Sequence, residues 1–381
     1  MDVDYAIVGG GPAGLAVAIE AALAGKTAVI VERCRGPVDK ACGEGLMPPG
    51  VARLRALGVE LPAWGTHPFS GIRYIDGDVI AEANFAEGPG LGVRRLALAE
   101  AMLARAADLG VTLYQGTEAM GWTEDTAGVT LETSRGPVRA RWLVAADGLH
   151  SRVRKDAGIE ATALSGGGAH PGAGRRLGIR RHFTVAPWSD KVEVWWGDGV
   201  EAYVTPVGPE RVGVAFLWTG GVWSGGRGNH EAFLEHFPAL AARLGPAEST
   251  VRGAGPFGVR VARRTRGRVL LVGDAAGYLD ALTGEGLSLA FESAEALVRA
   301  TIAGAPERYE ADWARITRRH LFLTRLLLQV ARRPWLRRRL VRALRRFPSG
   351  FAVFLAMNTG YWSPWRAIPA AGAVGIGLLT G

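Results

Sequence analysis

Three glycines near the start of the chain have the spacing of a phosphate-binding turn. Gly9, Gly11 and Gly14 form a GxGxxG pattern with Pro12 and Ala13 between the last two, and the pattern follows a short apolar run. Glycine at these positions permits a tight turn and lets backbone N–H groups approach a pyrophosphate. The N-terminus of the helix that follows would favour the negative charge of that group. The turn therefore predicts a nucleotide site.

The segment after the turn adds the other parts of such a site. An alanine-rich stretch from Leu15 to Ala24 predicts a helix, and the β-branched run Thr27–Val31 predicts a second strand that ends at Glu32. A carboxylate at the end of this strand can accept hydrogen bonds from a ribose diol. A GxGxxG pattern alone is weak evidence in a chain with 54 glycines. With strand, helix and acid in order, it predicts dinucleotide binding.

Two later segments distinguish FAD from NAD as the dinucleotide. Residues 145–154 read AADGLHSRVR, and residues 273–287 read GDAAGYLDALTGEGL. With the GxGxxG turn, these segments resemble the motifs of the FAD-dependent oxidoreductases of the aromatic hydroxylase and geranylgeranyl reductase superfamily. The three motifs occur in the family's order and cover roughly residues 1–310. Three ordered motifs at long spacing are a far more specific signal than any one of them.

The resemblance implies a set of cofactor-binding residues and a role for several of them. Glu32 would hold the adenosine ribose, Arg33 would lie near the adenine, and Asp274 would bind the ribityl chain. A helix that begins near Gly286 would stabilise the negative charge of reduced flavin. Asp147 could instead hold its own strand-to-helix turn. The full set is Gly9, Gly11, Pro12, Ala13, Gly14, Glu32, Arg33, Cys42, Gly43, Arg95, Asp147, Gly273, Asp274, Gly284, Gly286 and Leu287.

The loop DKACGEGLMP at residues 39–48 contains the first catalytic candidate. It is similar to a loop of geranylgeranyl reductases and their relatives that lies by the flavin ring. Cys42 could tune or protonate the flavin, or it could simply pack, since a buried thiol behaves as a small apolar group. Glu44 could cap the loop or act as an acid. His182 and Tyr203 are further candidates to orient or deprotonate a substrate.

A strand-rich region from about residue 177 to residue 262 is expected to form the substrate wall. Its aromatic and polar side chains alternate along predicted strands, so half of them should face each side of a sheet. The expected wall residues are Arg180, Arg181, His182, Phe183, Trp188, Val194, Trp195, Trp196 and Tyr203.

The order of these elements predicts an α/β fold with a discontinuous Rossmann-type FAD-binding domain. An antiparallel β-sheet substrate domain is inserted into it, and a helical region follows. The predicted boundaries are 1–70, 94–160 and 263–310 for the FAD-binding domain, 71–93 and 161–262 for the substrate domain, and 311–381 for the helical basic C-terminal region.

Composition and charge exclude several classes of protein. The chain of 381 residues is 48% hydrophobic, which is enough to bury a large core. Two cysteines and no HExxH-like histidine pair argue against a disulfide framework and a metal site. The sequence has no signal-peptide pattern at its start, so a cytoplasmic protein is expected.

The formal net charge of +9 comes from one end of the chain. Residues 313–381 contain 13 arginines and no acidic residue, which leaves 32 basic against 36 acidic side chains in residues 1–312. This distribution argues against nucleic acid as the partner of the whole protein. Leu336, Leu340, Leu344 and Phe347 repeat at helical spacing between arginines. A basic amphipathic helix of this kind either contacts the inner face of the membrane peripherally or packs over the active site with its arginines in solvent.

The predicted function is that of an FAD-dependent monooxygenase that hydroxylates a hydrophobic, aromatic or polyketide-like small molecule with NAD(P)H and O2. No second GxGxxG follows a strand, so NAD(P)H would visit the flavin transiently. Gly277 and Ala281 depart from the histidine and proline of aromatic hydroxylases. These departures leave open an alternative function, the reduction of C=C bonds in a prenyl lipid. The missing tryptophan-pair motif argues against a halogenase. A third alternative is a basic binding or membrane scaffold that retains FAD. The oligomeric state is left open.

Overall fold

The computed structural model describes residues 2–161, 176–220 and 229–361, together with Gly372. The remaining residues of the predicted C-terminal region, 362–371 and 373–381, lie outside the described residues. The strands are β1 (Asp2–Val8), β2 (Ala28–Glu32), β3 (Gly45–Leu46), β4 (Thr66–Phe69), β5 (Gly71–Asp76), β6 (Val79–Asn84), β7 (Gly90–Val93), β8 (Thr112–Gln115), β9 (Ala119–Glu124), β10 (Val129–Thr133), β11 (Val138–Ala145), β12 (Arg176–Thr184), β13 (Lys191–Trp196), β14 (Val200–Gly208), β15 (Arg211–Thr219), β16 (Arg252–Ala254), β17 (Thr265–Arg266) and β18 (Val269–Leu271).

The helices follow the same chain order. They are α1 (Pro12–Leu23), α2 (Pro48–Ala56), α3 (Arg95–Asp108), α4 (Arg152–Asp156), α5 (His230–Leu234), α6 (Pro238–Ala241), α7 (Gly286–Ile302), α8 (Arg308–Ala331), α9 (Pro334–Arg346) and α10 (Pro348–Thr359). Gly273–Ala276 forms a short 3-10 helix. None of the helices in the described part of the chain is both long and apolar enough to cross a membrane.

An eight-stranded sheet carries the predicted nucleotide-binding unit. The neighbouring strands β18, β11, β1, β2 and β8 are parallel, and β17, β9 and β10 extend the sheet as antiparallel strands. The central parallel strands β1, β2 and β18 are apolar and largely buried, as in parallel sheets whose faces are covered, whereas the edge strand β8 is only half-buried. Helix α1 ends before Gly25, whose φ of +70° suits a residue that stops a helix. Because α1 follows β1 directly through the glycine turn, its N-terminus lies at the edge formed by the carboxyl ends of the parallel strands.

A seven-stranded sheet forms the second layer, in the order β16-β12-β15-β14-β13-β5-β6. Its pairs are antiparallel except β13 with β5, which are parallel. One face is covered by α5 and α6, and α9 and α10 pack at the β6 edge. A third sheet, β3-β7-β4, pairs residues from both sides of the predicted domain boundary at 70/71, so this boundary divides one sheet.

One arginine of α9 departs from the expectation that the arginines of this region lie in solvent, whereas most of the others are exposed. Arg337 of α9 is only 2% exposed and turns toward the body of the protein. Its Nε donates to Asp76 Oδ2 at 2.8 Å, and its Nη2 lies 3.0 Å from Asp198 Oδ1. Asp76 is itself buried at the end of β5, so this ion pair fixes α9 against the second sheet. Val341 and Leu344 are buried on the same side of the helix.

We expect Arg337→Ala to lower the free energy of unfolding by about 3–5 kcal/mol, since it removes the buried cation of Asp76 and leaves only the exposed Arg338, whose Nε lies 4.0 Å from Asp76 Oδ1. Arg342→Ala removes an exposed arginine from the same helix and should change it by no more than about 0.5 kcal/mol. Denaturant unfolding monitored by circular dichroism measures both values. Equal effects of the two substitutions would contradict the assigned role of Arg337.

Candidate cofactor and substrate cavity

The three glycines of the N-terminal turn perform different tasks. Gly9 has a φ of +109°, and a Cβ there would collide with the carbonyl oxygen of Ala146, which directly follows β11. A Cβ on Gly14 would collide with the carbonyl oxygen of Gly9, so this glycine lets α1 pack closely on the turn. A Cβ on Gly11 would meet nothing within 4 Å. Gly11 therefore leaves room for a ligand at the N-terminus of α1, where no side chain caps the free N–H groups.

Glu32 connects the turn to the loop that follows β2. Its Oε2 accepts a hydrogen bond from the Gly10 N–H at 2.7 Å, and its Oε1 accepts one from the Cys34 N–H at 2.8 Å. The carboxylate is partly exposed and lies on the wall of a cavity, next to the exposed Arg33. Glu32 is therefore placed where it could contact the adenosine half of a dinucleotide. Its two hydrogen bonds also hold the glycine turn and the loop after β2 together.

The cavity has a volume of about 710 Å³ and reaches from the glycine turn to the second sheet. Every residue of the predicted cofactor set lines it except Gly14, which is buried beneath the turn. Asp147 lines the wall and also holds its own strand-to-helix turn, because its Oδ2 accepts from the Arg152 N–H at 2.8 Å. Ser151 caps α4 by accepting from the Arg154 N–H. Both readings of Asp147 thus have a structural basis.

Charged side chains line the middle of the cavity. Arg95 begins α3, is 9% exposed, and has an Nη1 without a protein partner. Asp274 lies in the 3-10 helix with its side chain exposed to the cavity, where partial loss of solvent raises the pKa of its carboxyl while Lys40 and Arg95 oppose that rise. An unpaired buried guanidinium costs free energy unless a ligand satisfies it. Together with the open space at Gly11, this cation fits the phosphate and ribityl groups of FAD.

The turn before α7 supplies a second helix N-terminus. Gly284 has a φ of +69°, α7 begins at Gly286, and no side-chain hydrogen bond caps the helix. Gly284, Gly286 and Leu287 line the cavity, so the positive end of α7 is directed at the space that a flavin ring would need.

Sequence reasoning missed Glu285, which lies between the two glycines of this turn. Its carboxyl group is 4% exposed, and Asn358 of α10 donates to its Oε1 at 3.1 Å. Burial raises the pKa of Glu285 to about 8, so the group is mostly protonated at neutral pH. An acid between two glycines was the available signal, but its burial depends on α10, more than 60 residues later.

The Cys42 loop is fixed from behind by a buried carboxylate. Glu44 has a φ of +59° and is 2% exposed. Its Oε1 accepts from the Arg95 N–H at 2.9 Å, and its Oε2 lies 2.6 Å from His182 Nε2. Arg180 Nη1 lies 3.1 Å from His182 Nδ1, and because a guanidinium can only donate, Nδ1 must accept. The neutral imidazole then carries its proton on Nε2 and donates it to Glu44.

The three catalytic candidates occupy different surroundings. Cys42 lines the cavity, and burial raises the pKa of its thiol, so it stays protonated at neutral pH. Tyr203 also lines the cavity, its hydroxyl has no protein partner, and burial raises its pKa well above the usual value. Tyr203 can therefore donate a hydrogen bond but cannot serve as a base. His182 is fully buried behind the loop, away from the cavity wall, and acts on Glu44 instead.

The substrate wall differs from the expected one, because the sequence did not show which face of the sheet would be covered. Of the expected residues, Arg180, Val194 and Tyr203 line the cavity. Trp195 packs with the core under α5 and α6, and Trp196 packs edge-on against Tyr74 at 5.5 Å. Arg181, His182, Phe183 and Trp188 are also absent from the wall. The wall is instead largely aliphatic, with Ile72, Val192, Ala215, Leu217, Met47, Leu282, Leu327 and Leu355 beside Tyr74, Phe85, Phe257 and Phe354.

Within the described residues, no cluster of three or more His, Cys, Asp or Glu side chains could hold a metal ion.

Comparison with known proteins agrees with the cofactor geometry. The model of a family described as "FAD binding domain" matches residues 2–170. A menaquinone reductase of Mycolicibacterium smegmatis is 28% identical over 341 residues, which cover 83% of this chain and 80% of the relative. A 12-dehydrotetracycline 5-monooxygenase/anhydrotetracycline 6-monooxygenase of Streptomyces rimosus is 30% identical over 354 residues, 82% of this chain and 66% of the relative.

Solved structures show the same fold. A flavoprotein/dehydrogenase from Cytophaga hutchinsonii superposes with a TM-score of 0.78 at 19% identity and covers 99% of this chain and 100% of its own. A halogenase, PltM, solved with phloroglucinol and FAD, has a TM-score of 0.76 at 14% identity, with 98% of this chain and 91% of its own covered.

We expect Gly11→Val to yield protein without FAD, since its side chain would enter the space at the N-terminus of α1. Gly121→Val is the matched control, because a Cβ on Gly121 in β9 also meets nothing within 4 Å but lies away from the cavity wall. Flavin absorbance after purification, and the mass of the released flavin, measure retention and distinguish FAD from FMN. Full FAD content in the Gly11 variant would contradict this placement of the pyrophosphate.

Glu285 should make stability depend on pH. A carboxyl whose pKa is raised from 4.5 to about 8 on folding stays protonated in the folded chain while the unfolded chain loses its proton. Its contribution to stability therefore falls as pH rises from about 4.5 to about 8. Glu285→Gln removes this loss and should stabilise the protein relative to wild type by up to ~4 kcal/mol at alkaline pH and little at acid pH. The exposed Glu60→Gln serves as the control, and parallel pH curves for all three proteins would contradict the effect.

Proposed function

Because the chain belongs to the superfamily of FAD-dependent oxidoreductases, we propose that it is a monooxygenase that hydroxylates a hydrophobic small molecule. The observation that supports this choice most is the aliphatic half of the cavity, which adjoins the cofactor-binding half. Leu327 of α8 and Leu355 of α10 cover it together with the second sheet. A monooxygenase needs a chamber of this kind, because exclusion of water protects reactive species from hydrolysis.

The residues of the chain would position the cofactor and substrate in this scheme. Arg95, Asp274 and the N-termini of α1 and α7 would hold FAD. When it is bound and reduced by NAD(P)H, FAD would supply the two electrons that activate O2. One oxygen atom of O2 enters the substrate and the other leaves as water. Tyr203 would donate a hydrogen bond to a polar group of the substrate. The aliphatic wall would bind the apolar part, which is consistent with an aromatic or polyketide-like compound. The tetracycline monooxygenase relative supports this substrate class.

A second candidate is a reductase of C=C bonds in a prenyl lipid, and Cys42 is the observation that favours it. The thiol lies on the cavity wall and is kept protonated by burial, so it could supply a proton to a carbon that has received a hydride. Among the relatives, the menaquinone reductase and a digeranylgeranylglycerophospholipid reductase of Methanothermobacter thermautotrophicus support this alternative. The second is 27% identical over 75% of this chain.

Oxygen consumption distinguishes the two reactions. The assay supplies NADH or NADPH with either an alkyl-substituted phenol or a menaquinone analogue, with and without O2. The monooxygenase proposal expects substrate-dependent oxygen uptake and a hydroxylated phenol. Anaerobic turnover of the quinone side chain, with no oxygen uptake on any aromatic probe, would overturn it in favour of the reductase.

Cys42→Ser tests the same choice at one residue. For a monooxygenase the thiol only packs beside the cofactor, so substrate-dependent oxygen uptake should stay within about tenfold of wild type, or roughly 1.4 kcal/mol on the barrier. For a reductase that takes its proton from the thiol, the loss should be ~10²–10⁴-fold. The FAD content of the variant is measured alongside, so that a loss of cofactor is not mistaken for a loss of catalysis.

A further inference from the structure

Helix α9 presents a face that the cofactor and the cavity do not use. Opposite the buried Arg337 and Val341, it exposes Trp335, Arg338, Arg342, Arg345 and Arg346. We call these five residues the basic face. Trp335 is 60% exposed and lies under Arg339, with 5.9 Å between the guanidinium and the centre of the ring. The basic face thus combines an exposed large aromatic ring with a concentration of positive charge.

The preceding helix, α8, also exposes apolar and basic side chains side by side. On α8, Phe322 and Leu326 are four residues apart and therefore share one side of the helix, where they are 61% and 49% exposed. Arg318 and Arg325 are exposed on the same side. Phe322 and Trp335 are the two most exposed large apolar side chains in the described part of the chain.

We propose that the basic face, with Phe322 and Leu326, is a docking surface for anionic phospholipid membranes. Arginines are attracted to a negative lipid surface, and Trp and Phe side chains are favoured at the boundary between headgroups and acyl chains. A second copy of the same surface would be repelled, because no acidic residue occurs from Trp313 to the end of the chain. Polar partners alone would leave the apolar side chains in contact with water.

The position of the surface adds a reason for this choice of partner. Helix α9, which carries the basic face, contacts α8 and α10, the two helices that supply Leu327, Phe354 and Leu355 to the cavity wall. Docking through α9 would place the helices that cover the apolar half of the cavity next to the lipid. This last consequence depends on the proposed function, whereas membrane binding itself does not.

Vesicle flotation with purified full-length protein tests the proposal. Wild type should float with phosphatidylglycerol vesicles at low salt and not with phosphatidylcholine vesicles, and binding should fade as salt shortens the screening length from about 30 Å to about 8 Å. A triple Arg→Gln variant at Arg342, Arg345 and Arg346, which form no ion pair with Asp76, should reduce partitioning roughly ten- to a hundred-fold. Trp335→Ala should weaken binding without changing its salt dependence. A triple Arg→Gln variant at the exposed Arg55, Arg135 and Arg263 is the matched control and should bind like wild type.

Several outcomes would overturn the docking surface. These are equal binding to both lipids, wild-type binding by the first triple variant, no binding at low salt, or binding to RNA but not to vesicles. FAD content and melting temperature are measured for each variant, to show that the fold is kept. Oxygen uptake on a water-soluble probe reports the proposed function separately, so either conclusion can fail without the other.

Discussion

The buried carboxylate of Glu44 joins the three parts of the molecule that must meet at the cavity. One oxygen accepts from the first N–H of α3, which carries Arg95, and the other accepts from His182 on β12 of the second sheet. The residue itself belongs to the Cys42 loop. A carboxylate buried this deeply is tolerated only when its hydrogen bonds are complete, so the loop, helix and strand are held in one arrangement. The positions of Cys42 and Arg95 relative to each other depend on it.

Other buried ion pairs fix the surrounding elements in the same way. Arg176 of β12 pairs with Glu201 of β14 and with Asp280, which lies in the turn that leads to α7. Arg337 pairs with Asp76 and fixes α9. Such pairs add little net stability compared with apolar packing, but the loss of one partner is costly. Their effect is therefore to specify how the two sheets and the C-terminal helices are placed around the cavity.

The glycine turn of the cofactor half could be predicted from the sequence because its geometry is local. Gly9 needs a positive φ and Gly14 a close approach, and only glycine meets both demands at that spacing. The substrate half could not be predicted in the same way. Alternation showed that Trp195 and Trp196 lie on opposite faces of a strand, but not which helices cover each face. Arg337 resembled every other arginine of its helix, because its partner Asp76 lies 261 positions earlier in the chain. Glu285 was missed for a similar reason, since its pKa depends on the distant α10.

The division of the cavity wall has a consequence for how such enzymes diversify. Many of the residues predicted to hold the nucleotide belong to the first sheet and its glycine turns, whereas much of the apolar wall comes from the second sheet and from α8 and α10. These helices follow the last cofactor motif in the chain. Exchange or drift of the C-terminal segment can therefore reshape the space offered to a substrate while the redox machinery is inherited unchanged. New substrate ranges would then arise by recombination at the junction before α8. A foreign segment joined there would need an arginine that pairs with Asp76, as Arg337 does.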